Sequence, residues 1–185
     1  MELTPIYIAS QILTVAMYIT LAITYYLKDR KTILIINFLG CILIGSAYFL
    51  LSAYTGLAMS IIAIIRNIIF LIDEKKNGKS EKINKKDIII LAIIYFATIL
   101  VTIPSYNGFL SLLSVFATSL YTFSVWQKKT IVYKILGIPI GLLWISYNVY
   151  VMSLFGIILE SVLLVFAITG FTLEYKKRKN IEKTQ

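Results

Sequence analysis

Apolar and polar positions fall along this chain in long blocks rather than in alternation. Seven apolar stretches follow one another, at residues 6–27, 32–51, 56–72, 88–103, 109–126, 131–152 and 154–173. A bilayer core about 30 Å thick takes roughly 20 apolar residues per helix, so each stretch predicts a membrane-spanning helix. The fourth is the shortest, and its helix is expected to extend into Asp87 and Pro104. The gaps between stretches are of two kinds. Basic clusters follow the first (Lys28, Arg30, Lys31), the third (Lys75, Lys76, Lys79, Lys82, Lys85, Lys86), the fifth (Lys128, Lys129) and the seventh (Lys176, Lys177, Arg178, Lys179, Lys183). The opposite gaps read SAY, PSYNG and MSL and carry no charge. Insertion leaves Lys and Arg on the cytoplasmic side. The pattern therefore predicts seven crossings, the amino terminus outside and the carboxyl terminus in the cytoplasm.

Composition agrees. Hydrophobic residues make up 59% of the 185, against about 45–50% in globular domains. Connections this short leave no room for a soluble domain, and the longest, 73–87, reads as a solvated cytoplasmic loop. The net charge of +9 does not predict a nucleic-acid partner, because the basic residues are spread over membrane-flanking clusters. Attraction to anionic headgroups accounts for them, which makes the lipid bilayer the expected partner. The leader MELTP has Glu2 and no basic residue, so the first stretch is expected to stay as a helix rather than act as a cleaved signal.

The chain has one cysteine, Cys41, and no histidine. An intrachain disulfide cannot form, and His-based nucleophile systems and most zinc sites are closed. No cofactor, no metal and no enzymatic activity are expected; an intramembrane enzyme would show turnover abolished by Glu160→Gln.

Two segments about 98–100 residues apart look related, one starting at Lys31 and the other at Lys129. Each opens on KT and has an early Leu-Gly (Leu39-Gly40, Leu136-Gly137). Each then has Ser and Tyr near the helix end (Ser46, Tyr48; Ser146, Tyr147) and a glycine starting the next helix (Gly56, Gly156). A three-helix unit that starts outside ends inside, so a second copy in the same orientation needs one extra crossing. The fourth stretch, with little polar beyond Thr98 and Thr102, suits a lipid-facing connector. The expected fold is thus an all-α integral membrane protein of two parallel three-helix bundles plus a linker helix. Its boundaries are a first bundle over 1–72, a loop over 73–86, the linker over 87–104, a second bundle over 105–175 and a basic tail over 176–185. This 3+1+3 layout is that of SWEET-type transporters, whose site lies between the bundles near the bilayer midplane.

The runs KDRK, LLSAYTGLAMSIIAIIRNIIF and LLWISYN…GIILESV resemble the YgjV-type bacterial inner-membrane proteins, taken as relatives of the SWEET, SemiSWEET and PQ-loop group. The resemblance spans about residues 11–170 and is most specific over 53–70. It implies a bacterial cytoplasmic (inner) membrane location, the 3+1+3 fold and small-solute transport. The PQ dipeptide of the wider group is absent: no proline precedes Gln11, and Pro139 is followed by Ile140.

Ionisable residues in hydrocarbon cost at least about 2.5–3.5 kcal/mol and call for a partner or a wet cavity. Arg66 lies in the third stretch and Glu160 in the seventh. With Gly56 aligned to Gly156, Arg66 is ten residues down its helix and Glu160 four, a depth difference of roughly 9 Å. A direct bidentate pair is therefore not the expectation. Arg66 either reaches the cytoplasmic headgroups or lies within the bundle. Glu160 has two readings of equal standing, a proton carrier or a structural hydrogen-bonding group. Lys134 is expected to extend to the headgroups.

Neutral polar residues complete the candidate site. Ser60 and Asn67 share a helix face, as do Gly141, Trp144 and Asn148. An amide in each half, with Trp144 a turn from one of them, suits a solute carrying hydroxyls or a heterocycle; Gln11, Asn37 and Tyr147 are further candidates. Taken singly, each of these reads rather as glue between helices; taken as a set, they read as the lining of a shared polar cavity. Pro139, flanked by Gly137 and Gly141, marks a hinge or a fixed kink. The leading expectation is a carrier for an unidentified small polar solute that works by rocking of the bundles. The alternative is a non-transporting membrane receptor or accessory protein binding a peptide, lipid or partner helix. A homo-oligomer is compatible with either.

Overall fold

The computed structural model describes residues 4–77, 83–105, 112–150 and 152–182. Among them are seven α-helices and no strand: α1 (Pro5–Thr24), α2 (Arg30–Leu50), α3 (Tyr54–Asn77), α4 (Lys85–Thr102), α5 (Leu112–Trp126), α6 (Thr130–Tyr150) and α7 (Leu154–Glu182), with a short 3-10 turn at Ile103–Ser105. Five, α1, α2, α3, α6 and α7, are long and apolar enough to cross a membrane. Of the other two, α4 opens on Lys85, Lys86 and Asp87, which dilute an 18-residue helix. α5 is 15 residues long, and the start of its apolar stretch at Phe109 lies outside the described residues. Two helices run further than their apolar stretches. α3 continues through Lys75 and Lys76 to Asn77, and α7 continues to Glu182, because Lys and Glu are strong helix formers. Part of the expected loop and most of the expected tail are therefore helical; residues 78–82, with Lys79 and Lys82, and Lys183 lie outside the described residues.

Local signals set the helix ends. Asp29 caps α2, its Oδ2 accepting from Thr32 N at 2.9 Å and from Thr32 Oγ1 at 2.8 Å. Asp87 Oδ2 accepts from Asn84 N at 2.8 Å at the start of α4. α2 and α6 close with the same Schellman turn. Ser52 and Met152 both take the left-handed conformation at φ 54°. Ala53 N and Ser153 N then donate to Tyr48 O and Asn148 O, each at 2.9 Å.

The chain divides into two compact units, Met1–Thr24 with Asp29–Tyr106, and Tyr25–Lys28 with Asn107–Gln185. In the first, α1 packs on α2, α2 on α3, and α3 on α4. α2 presents glycines to both neighbours. A Cβ at Gly40 would lie 2.9 Å from Thr20 Oγ1, and one at Gly45 would lie 3.2 Å from Ser60 Cβ. Small residues let the backbones approach closely, which matters where lipid supplies no hydrophobic drive between helices. On α4, Asp87, Leu91, Ile94 and Thr98 are buried along one face, while Ile88, Ile89, Ile93, Phe96 and Ile99 are exposed. An exposed apolar band of this kind suits lipid.

In the second unit α5 packs on α6 and α6 on α7. Tyr25, from the segment that follows α1, is buried here. It stacks on Tyr133 at 5.5 Å between ring centroids, and its hydroxyl comes within 2.6 Å of where a Gly137 Cβ would sit.

The helix pairs α2–α3 and α6–α7 correspond at an offset of 100 residues. α2 and α6 begin at 30 and 130 and end at 50 and 150, and α3 and α7 begin at 54 and 154. Ser46 and Ser146 both donate to the carbonyl four residues back, at 2.9 and 2.8 Å. In this register Gly56 matches Gly156, as the sequence suggests. The Leu-Gly pairs do not match: Gly40 falls opposite Ile140, and Gly137 opposite Asn37. Tyr48 corresponds to Asn148 rather than to Tyr147. Apolar helices tolerate a slip of three in a text alignment, whereas turns and caps do not.

Candidate functional site

α3 carries Ser60, Arg66 and Asn67, all buried, at 5%, 4% and 0% exposure. Ser60 and Asn67 do share a face, and it is the face that meets α2. Ser60 lies against Gly45 and uses its hydroxyl on Gly56 O at 2.9 Å, so it serves helix packing. Asn67 lies seven residues on and donates through Nδ2 to Cys41 Sγ at 3.4 Å. Its Oδ1 is buried and accepts no hydrogen bond among the described residues. Arg66, turned inward, is close enough for its charge to act on Cys41 of α2 and Tyr95 of α4. Asn37, 1% exposed, is one turn before Cys41 on α2.

The first unit therefore holds a polar layer, Asn37, Cys41, Arg66, Asn67 and Tyr95, drawn from three consecutive helices. Cys41 and Tyr95 are absent from the candidates that spacing supplies. Cys41 was legible as the residue four after Asn37, hence on the same helix face. Tyr95 carries no signal inside the apolar run of α4, because only the packing of α4 on α3 brings it to Arg66. Gln11 stands apart. It is half-buried on α1, within 3.5 Å of Ser10 Oγ. It lies nine residues before Thr20, the residue that meets Gly40, which places it about 13 Å along the helix from this layer.

The second unit places its candidates differently. Asn148 donates through Nδ2 to Trp144 O at 2.9 Å, and its Oδ1 packs where a Gly156 Cβ would stand. Trp144 meets Tyr147 edge to face at 5.8 Å. These three aromatic and amide groups sit at the α6–α7 corner and are half-buried. Glu160 is 8% exposed on α7, at the register position that Ser60 holds in α3, and its charge acts on Tyr25. α6 remains helical across Pro139.

Lys134 is corrected by the structure. It does not extend to the headgroups: it is 2% exposed and pairs through Nζ with Glu174 Oε2 at 2.6 Å. Glu174 also accepts from Thr130 Oγ1 at 3.3 Å. The first unit has the counterpart pair, Arg30 with Glu74. Each cation meets an acid on the C-terminal extension of α3 or α7, and those extensions lie beyond the apolar stretches. Among the described residues no group of three His, Cys, Asp or Glu could hold a metal.

Compared with known proteins, residues 7–178 match the family model Imp-YgjV, described as a bacterial inner membrane protein. No curated protein and no solved structure matches the chain.

Proposed function

Since the chain belongs to the Imp-YgjV family of bacterial inner membrane proteins, we propose that it is a carrier moving a small polar solute across that membrane. In this reading all seven helices cross in a 3+1+3 order with α4 as the linker. The amino terminus is outside and the carboxyl terminus in the cytoplasm. The alternation of basic and uncharged gaps supports that orientation.

The observation that carries the solute-binding part is Asn67. An amide that only held helices together would engage both ends on its neighbours. Here one end meets Cys41, and the other is a buried acceptor with no hydrogen bond among the described residues. Leaving such a group unmet costs about 1–3 kcal/mol, and a donor on a bound solute recovers it. Arg66 next to it fits the rule that ionisable groups at membrane depth mark solute or ion pathways. Pro139 removes one backbone hydrogen bond within α6 and is the place where that helix would bend during transport. Glu160 supplies a carboxylate for proton coupling.

Flux measured on purified protein in liposomes tests the reading, with labelled sugars, vitamins, nucleosides and organic acids as solutes. Uptake of at least one should exceed that of protein-free vesicles. Asn67→Leu, if monodisperse, should lower it about tenfold, the equivalent of one buried hydrogen bond. No flux for any solute, together with ligand-dependent thermal stabilisation, would replace the carrier with a non-transporting receptor.

A further inference from the structure

We propose that Lys28 and Lys177 form a seat for the phosphate of an anionic phospholipid at the basic end of the second unit. The seat is built from other residues than the Asn67 layer, so it stands or falls independently of the carrier reading.

Contacts within the second unit fix where the segment after α1 runs. Tyr26 meets α7 at Phe166, edge to face at 5.6 Å, and at Thr169, hydroxyl to hydroxyl at 3.0 Å. The carbonyl of Tyr25 sits where a Gly170 Cβ would stand, so a glycine is what lets the segment lie on the helix. Gly170 and Lys177 are seven residues apart, two turns, and share one face of α7. Three residues of chain after Tyr25 reach at most about 10 Å, and Lys177 lies about 10 Å along the axis from Gly170. Lys28 accordingly arrives over Lys177, and the two ammonium groups come within hydrogen-bonding reach. Both residues are exposed.

Charge and depth select the occupant. An ammonium group donates and cannot accept, so what joins two of them is an acceptor with negative charge. Glu174 is the one acid between 161 and 181. Its charge acts on Lys177, but its carboxylate is engaged by Lys134 at 2.6 Å and by Thr130 at 3.3 Å. Asp29, next to Lys28, caps α2 through Thr32. The two lysines thus leave a local excess of positive charge, and lysine binds phosphate as a point charge. Lys28 directly follows the apolar stretch that ends at Leu27, and Lys177 is four residues, about 6 Å, past Leu173. Headgroups occupy roughly 5–8 Å on each side of the hydrocarbon, so both lysines lie level with lipid phosphates. Val165, Ile168 and Leu173 on α7 are exposed and offer apolar surface for an acyl chain.

The test measures lipid retention by the intact protein in a nonionic detergent, by native mass spectrometry, with phosphatidylglycerol and phosphatidylcholine as competing probes. A lysine at the headgroup level contributes about fivefold in affinity. The first phosphatidylglycerol to bind should therefore be preferred over phosphatidylcholine by about tenfold or more. Lys28→Gln with Lys177→Gln should remove most of that preference, and Lys28→Arg with Lys177→Arg should keep it. Lys75→Gln with Lys76→Gln, two exposed lysines on the extension of α3, should leave it nearly unchanged. Equal retention of the two lipids by the unaltered chain overturns the proposal, whether or not any variant folds. An equal fall in the α3 pair overturns it too, because diffuse attraction to basic residues would then suffice. Displacement of phosphatidylglycerol by excess inorganic phosphate would give the seat to a soluble anion and overturn the lipid as its occupant.

Discussion

Tyr48 and Asn148 occupy one register position in two helices and do the same packing with different chemistry. Tyr48 lays its ring 2.8 Å from where a Gly56 Cβ would be, and Asn148 sets its amide where a Gly156 Cβ would be. Asn148 thus reads in the sequence as a solute-binding amide and is found in a corner, held by Trp144 O. Spacing gives the face of a helix, not what covers that face. Glycines in such contacts differ sharply in tolerance. A Cβ at Gly170 would collide with the backbone carbonyl of Tyr25, which cannot swing away, whereas one at Gly141 would make an ordinary 3.4 Å contact with Leu164. Gly170→Ala should therefore destabilise the protein by about 1–3 kcal/mol. Gly141→Ala should stay within about 0.5 kcal/mol of the parent. Thermal unfolding in detergent, followed by size-exclusion, separates the two; equal midpoints would show that Tyr25 does not pack on α7 as described.

Between helices, the decisive contacts are the two cation–acid pairs at the ends of α2–α3 and α6–α7. Arg30 and Lys134 are 7% and 2% exposed, and each meets an acid on the extension of the next helix. Removing one partner of a buried pair leaves a charge without compensation, at about 3–5 kcal/mol, whereas replacing both by apolar residues is often neutral. Glu174→Leu should accordingly lower the unfolding midpoint strongly, and Lys134→Met with Glu174→Leu should restore most of it. If the double variant is no better than the single, the pair is not what holds Lys134 inside. The sequence shows every one of these residues but not the pairing. Glu174 stands directly after the apolar stretch, where an acid reads as solvated until α7 is seen to run on through it.

For the whole molecule, the basic gaps set a testable topology. Met152 lies at an uncharged corner, 87% exposed, and Lys75 on the basic extension of α3. In a Cys41→Ser background, Met152→Cys should react with a membrane-impermeant maleimide on intact cells, and Lys75→Cys only after permeabilisation. The reverse pattern would turn the protein over in the membrane and reassign the cytoplasmic face.

Helix number, helix positions and membrane character are already decided along the chain. They depend on apolar run length and on the cost of moving Lys and Arg through hydrocarbon, both properties of consecutive residues. The two left-handed turns at Ser52 and Met152, the burial of Lys134, and the gathering of Cys41, Arg66, Asn67 and Tyr95 exist only in three dimensions. The turns are made by local backbone hydrogen bonds at the ends of α2 and α6; the others arise where separate helices come within side-chain reach. A uniformly apolar stretch does not record which of its faces will meet its neighbour.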